Sequence, residues 1–299
     1  MDSYQITILS NIGMISFIAL SAYLLLLVGE ISFGQQAFFA ISAYMAGIAT
    51  AMWGWNIWLA LLFGTLIAAT TAVLVGLPVL RLRGLYFSIA TLAFAEMVRL
   101  IFQLIRYQVE IDGEMVGPNG AEGFRSIRYI FEHNISPLGF MLMIYVLLSA
   151  VLIFFLWLER SKLGAIFRMI GQDELLTEMQ GVDVTRYKLL ATGLAGLVAG
   201  IGGGLYAHFT TFVEPNVFNV MLGVHALAYG LIGGLGTAFG PLIGVAIDIG
   251  LLQSIQGLAG YRMIVFGGLV AVLLIFMPRG ILDESRVYWL RRFLWHKKA

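Results

Sequence analysis

Cysteine is absent from the chain. That single absence removes disulfides, thiolate metal sites and cysteine nucleophiles. Charge is scarce too: Asp, Glu, Lys and Arg make up 12% of 299 residues, against 60% hydrophobic. A water-soluble domain cannot hide that much apolar surface, so the class is a polytopic membrane protein. The four histidines, His133, His208, His225 and His296, are scattered with no paired-ligand spacing, which leaves a metal site unsupported. There is no GxSxG, no P-loop, and no GxGxxG at a strand–helix junction. No bond-making chemistry is visible, so neither an enzyme nor a cofactor site in this chain is expected, and nothing points to nucleic acid.

What is present is a series of long apolar blocks. They are glycine-rich and do not alternate, so they read as helices rather than barrel strands. A span needs roughly 20 apolar residues. The blocks run about Ile8–Val28, Ala37–Met52, Ile57–Leu80, Gly84–Ile105, Leu138–Leu158, Leu189–Phe209, Val220–Leu235, Phe239–Ile255 and Met263–Met277. The first has no cationic flank and no small-residue cleavage site, so it reads as a retained span. Gly29–Gln36 interrupts the series as a candidate break, and Val220–Leu235 is short enough to be partly re-entrant. Trp53, Trp55 and Trp58 mark an interface. The fold class is therefore an all-α integral membrane protein, a helical bundle of about nine spans with room for one broken or re-entrant segment.

Charge placement sets the orientation. With Arg81 and Arg83 in the cytoplasm, the turn-rich, acidic interval Tyr107–Ser136 falls outside, Glu159–Lys188 inside, Phe212–Asn219 outside and the basic tail inside. Every parity agrees. Glu159–Lys188 is the longest proline-free polar interval, yet its apolar residues recur at helical spacing: Leu163, Ile166, Phe167 and Ile170, then Leu175, Leu176 and Met179. Two short amphipathic helices hinged near Gly171 and stopped at Gly181 are predicted, a docking surface for a soluble partner.

Within the spans, two small-residue stripes share one face of the sixth: Ala191, Ala195, Ala199, Gly203 and Ala207 beside Gly196, Gly200 and Gly204. Such a face packs closely against another helix, inside the bundle in preference to a subunit interface. Gly236, Gly240 and Gly244 continue at the same spacing to Asp248, which places a carboxylate on a packed face. The fourth span carries Ser88, Glu96, Arg99, Gln103 and Arg106 along one side, with Glu96 and Arg99 spaced to pair. A structural pair and a place on a solute path are equally open there. Glu30 is expected at the cytoplasmic interface. Any uphill transport must draw on an ion gradient or on a partner that hydrolyses ATP.

A set of segments in fixed order resembles the permease subunits of branched-chain amino acid ABC importers, of the M type. They are Gly29–Phe39 (GEISFGQQAFF, where the family typically reads S-x-G-x-G/Q-A-F-F), Leu80–Phe87, Thr91–Met97, Arg160–Gly164 with Gly181–Lys188, Gly200–Ala207, Gly230–Thr237 and Met277–Gly280. The resemblance covers nearly the whole chain. It implies one transmembrane permease domain, 1–299, with a cytoplasmic ATPase-coupling loop at 159–188 and a basic cytoplasmic tail at 278–299. It implies a small organic solute, branched-chain or other hydrophobic amino acids, taken from a periplasmic or lipid-anchored binding protein by alternating access. The implied partners are a homologous second permease in the bacterial inner membrane and two cytoplasmic ATPases, which bind the ATP. Expected coupling residues are Arg168, Asp173, Glu174, Leu175, Leu176, Glu178, Met179 and Gly181; Glu96, Arg99, Gln103 and Asp248 are expected along the path or in the polar interior. The sequence departs from its relatives at Leu175–Gln180, where they carry an alanine-rich run. The alternative is a self-sufficient ion-coupled carrier using Asp248 or Glu96.

Overall fold

The computed structural model describes residues 3–111, 113–252, 261–277 and 280–282. Four helices open the chain: α1 (Ser3–Leu27), α2 (Gln35–Ala51), α3 (Ile57–Val79) and α4 (Leu85–Leu104). A small strand-bearing unit follows, made of β1 (Val109–Ile111), β2 (Glu114–Pro118), β3 (Phe124–Arg125) and the short α5 (Tyr129–Glu132). Then come α6 (Pro137–Arg160), α7 (Lys162–Gln172), α8 (Glu174–Met179), α9 (Val184–Thr210), α10 (Val220–Gly233), α11 (Phe239–Val245) and α12 (Arg262–Phe276). A π-helical stretch, Ala246–Leu252, continues α11.

Local chemistry sets many of these ends. Asn56 caps α3 by accepting from Trp58 N at 3.1 Å, and Ser136 caps α6, whose first residue is Pro137. Pro at that position costs nothing, since its missing N–H would have had no partner. Five of the described helices are long and apolar enough to cross a membrane: Tyr4–Leu27 within α1, then α3, α4, α6 and α9. α2 has 17 residues and α10 has 14, about 25 and 21 Å at 1.5 Å per residue. Both fall short of the ~30 Å hydrocarbon thickness.

The core forms around α9, which packs against α1, α2 and α3. Its bare face is what permits this. A Cβ on Gly200 would lie 3.0 Å from Thr65 Cα, one on Gly204 would lie 2.6 Å from Leu61 Cδ2, and one on Gly196 would run into Ala72. On the adjoining stripe, Gly203 meets the backbone of Phe39 in α2. Gly200→Leu therefore wedges α9 from α3 and is expected to cost about 1–3 kcal/mol or more. The expected readout is loss of folded, assembled protein in size-exclusion profiles; a normal profile would contradict this packing. His208, also buried, is satisfied by Thr50 at 3.0 Å and the Gly204 carbonyl at 2.7 Å, as a core histidine.

Two expectations need correction. The 107–136 interval is more than turns: β1 pairs antiparallel with β2 and β2 with β3, while Phe124 bridges Val213 after α9. The strands are too short to show an alternating pattern, and that last pairing spans a long stretch of sequence. Gly236 is not on the helical stripe with Gly240 and Gly244. α10 ends at Gly233, Gly234 turns at φ +90°, and Gly236 sits in the following loop, donating to Leu282 O at 3.0 Å. Gly240 and Gly244 do pack closely, on the backbone of Gly233–Gly234 and of Tyr229. Glu30 is buried within the bundle, 6% exposed. The expected basic tail, 278–299, lies outside the described residues apart from 280–282.

Candidate functional site

Glu159–Lys188 folds into a helix pair with two different jobs. α7 begins at the Ser161 cap and turns its apolar side inward, burying Phe167 and Ile170 in the core beside Leu158 and Phe155. The chain then bends at Asp173, two residues past Gly171, as expected of a hinge near that glycine. Gly171 itself is pressed onto the Leu27–Gly29 backbone, where any side chain would collide with the Leu27 carbonyl. Asp173 has extended dihedrals and caps α8, accepting from Leu176 N at 3.0 Å. Thr177 is α8's buried residue; Leu175, Leu176 and Met179 are 61, 57 and 74% exposed, with Glu178 exposed beside them. Gly181 ends the unit at φ +84°, a conformation side chains resist. A six-residue helix has no stability of its own. Something must hold it.

The holding group is Lys188, in the second turn of α9. Its ammonium sits 2.7 Å from Glu30 Oε1 and 3.0 Å from Glu174 Oε2, and Arg83 approaches Glu174 at 4.0 Å. The Lys188 and Glu30 side chains are only 7 and 8% exposed. Burial pushes the Glu30 carboxyl above the ordinary carboxylate range, while the hydrogen bond from Lys188 pulls it down. Glu174 thus belongs to the anchor rather than to the exposed rim of α8. Arg168 likewise points into the bundle, donating to Gly236 O at 3.2 Å. At the end of α6, Glu159 Oε1 accepts from Ala238 N at 2.6 Å and from the Tyr23 hydroxyl at 3.1 Å. The base of the helix pair is therefore tied to α1, to the 28–34 loop, to α9 and to the 234–238 loop.

The second polar group lies along α4. Arg99 Nε donates to both Glu96 oxygens at 3.0 Å, and Arg99 Nη1 and Gln103 Nε2 converge on Asn216 Oδ1 at 3.1 and 2.7 Å. Asn216 in turn donates to Glu214 at 2.9 Å. This cluster is half exposed on the bundle's flank. Asp248 is elsewhere: buried in the π-helical stretch, it accepts from the Tyr229 hydroxyl at 2.6 Å, at the wall of a cavity of about 420 Å³. The structure does not bring Glu96 and Asp248 together.

The sequence matches the family model described as branched-chain amino acid transport system / permease component over residues 4–278. The chain belongs to that family. It is 29% identical over 305 aligned residues to the high-affinity branched-chain amino acid transport system permease protein LivM of Escherichia coli K12, covering 94% of this chain and 69% of the relative. The LivM protein of Salmonella typhimurium gives the same identity and coverage. LivH of Escherichia coli K12 is 25% identical over 141 residues, 46% of this chain and 45% of the relative. No solved structure matches.

In this permease, then, sequence reading found the helix pair, its exposed apolar trio and the Glu96–Arg99 pair. It missed the anchor. Lys188 stood among five cations of a polar interval, with no local mark of burial, and its partner Glu30 is 158 positions away. The available signal was compositional: one carboxylate at the end of the first apolar block, which a buried cation would have to match.

Proposed function

We propose that the chain is a membrane-spanning subunit of an ATP-driven importer for branched-chain amino acids, working by alternating access. Its partners are a homologous second permease, two cytoplasmic ATPases and an extracytoplasmic binding protein. The observation that carries this reading is α8: an exposed apolar trio on a short helix capped by Asp173 and tied to the bundle through the Glu174–Lys188 pair. Leu175, Leu176 and Met179 fit a groove on a soluble partner, within the rim of Asp173 and Glu178. A push on α8 passes through Glu174 and Lys188 to Glu30 and the start of α2, and through Glu159 to the 234–238 loop. That is a packed element which can be biased from one end.

The topology in this proposal has the 81–83 and 159–188 segments and the C-terminus in the cytoplasm of a bacterial inner membrane, and 107–136 outside. The shorter helices α2, α10, α11 and α12 complete about nine crossings, with α10 a partial one. The half-exposed cluster on α4 cannot face lipid without a large cost. It therefore borders the solute path or the second permease. The ion-coupled alternative finds both of its carboxylates engaged, Glu96 by Arg99 and Asp248 by Tyr229. Purification from the native membrane tests the reading. An ATPase is expected to co-purify, and the reconstituted complex to take up leucine only with ATP. Recovery without any ATPase, with uptake driven by an ion gradient, would overturn it.

A further inference from the structure

Two adjacent side chains in the middle of the bundle stand out among the described residues. Gln35 and Gln36 open α2; they are 0 and 1% exposed, and neither amide's nitrogen nor its oxygen has a hydrogen-bond partner. Buried primary amides without a protein partner are costly unless something else satisfies them. Their surroundings say what would satisfy them. A Cβ placed on Gly223, in the first turns of α10, would run into Gln36 Oε1 and lie 2.7 Å from Cδ and 2.8 Å from Nε2. The amide is thus laid against the start of α10, in space that only a glycine leaves open.

The N-terminal turns of α2 and α10 therefore meet. From there the helices part. α2 runs on past Phe218 and Tyr206, while α10 runs to Leu26 at the end of α1 and to the close approach of Gly233 on Gly240. One turn beyond Gln36, Phe39 packs near Gly202 and Phe17, well inside the lengths of α9 and α1. Two short helices thus start at one buried point and leave in different directions. Helix starts carry unsatisfied N–H groups and partial positive charge; Asn219 Oδ1 already caps α10 by accepting from Met221 N at 2.9 Å, but α2 has no side-chain cap, so its start beside the amide donors favours an anion. Breaks of this kind in membrane helices serve as binding points for anionic solute groups. Of the carboxylates on the flanking elements, Glu30 and Glu96 are held by Lys188 and Arg99, and Glu214, ahead of α10, accepts from Asn216.

We propose that Gln35 and Gln36, with the meeting first turns of α2 and α10, form a binding station for the α-carboxylate of the transported amino acid. The station rests on the amino-acid import reading above. Buried Phe39 and Phe218 nearby give an aliphatic side chain an apolar neighbourhood. With both amides sealed from solvent, the conformation described here is occluded at this point, and alternation opens it.

The absence of native cysteine makes a direct test simple. Gln36→Cys, in the assembled permease–ATPase complex in proteoliposomes, is reacted with an anionic sulfonatoethyl and a cationic trimethylammonioethyl methanethiosulfonate. Each rate is divided by that reagent's rate with a free thiol in solution. The anionic reagent is expected to be favoured about tenfold, the scale of an uncapped helix start acting in a water-poor site, and saturating leucine to slow it several-fold. A normalised ratio of one or below, or no reaction with or without ATP, overturns the station. Anion preference that leucine leaves untouched overturns its assignment to the solute. If Gln36→Cys does not assemble, Gln35→Cys carries the same measurement. ATP-driven leucine uptake by the cysteine-free parent reports on the import reading separately. Parental uptake without anion preference sinks the station alone, whereas anion preference without parental uptake sinks the import reading and keeps the anion site.

Discussion

Lys188→Met is expected to lower the stability of the bundle by about 3–5 kcal/mol, the usual cost of leaving one member of a buried ion pair behind. The stranded group is Glu30, 6% exposed in the 28–34 loop, with Glu174 losing its tether at the same time. Methionine keeps most of the lysine's volume, so lost packing contributes little. The second substitution is the informative one. Glu30→Gln in the Lys188→Met background removes the orphaned charge and is expected to return most of the loss. A double-mutant cycle read by denaturant titration in detergent should then give a coupling energy of at least about 1.5 kcal/mol. A coupling near zero would mean that Lys188 and Glu30 do not depend on each other, and that α8 is held by something else. Transport should not recover in the double variant, because Glu174 still lacks the cation that fixes α8.

The other large effect is expected from Leu176→Asp. Leu176 is 57% exposed and its backbone N–H is already satisfied by Asp173 Oδ1, so the fold should barely notice, within roughly 0.5 kcal/mol. Docking is another matter. A carboxylate at the centre of an apolar contact is desolvated with no partner, at a cost on the order of 3 kcal/mol or about a hundredfold in affinity. The variant should insert, keep the second permease and lose the ATPase on purification. Met179→Asp should act in the same direction. Arg168→Ala should not, since Arg168 reaches inward to the Gly236 carbonyl; its effect belongs to stability.

The long helices were legible from length and apolar content alone, with α3 and α4 placed to within a residue or so at each end. Patterns that repeat locally survive translation into structure. The bare face of α9, the i, i+3 pairing of Glu96 with Arg99 and the stop at Gly181 all did. What sequence could not supply was long-range pairing. The Glu30–Lys188 bridge, the Phe124–Val213 strand contact and the Tyr23–Glu159–Ala238 cluster each join segments far apart in sequence. A hinge near Gly171 was legible too, falling at Asp173, whereas the contact of Gly171 with the Leu27–Gly29 backbone was not. One smaller misreading had the same origin. Gly236 continued a spacing of four by coincidence, beyond a helix that had already ended at Gly233.

The most direct test of the account is initial leucine uptake into proteoliposomes holding the permease pair and its ATPase, wild type and Leu176→Asp side by side. Each is measured once with internal ATP and no ion gradient, and once with ATP depleted and proton and sodium gradients imposed. The account predicts ATP-dependent uptake by the wild type and none by the variant under either condition. Undiminished uptake by Leu176→Asp with ATP depleted and the gradients in place would contradict it.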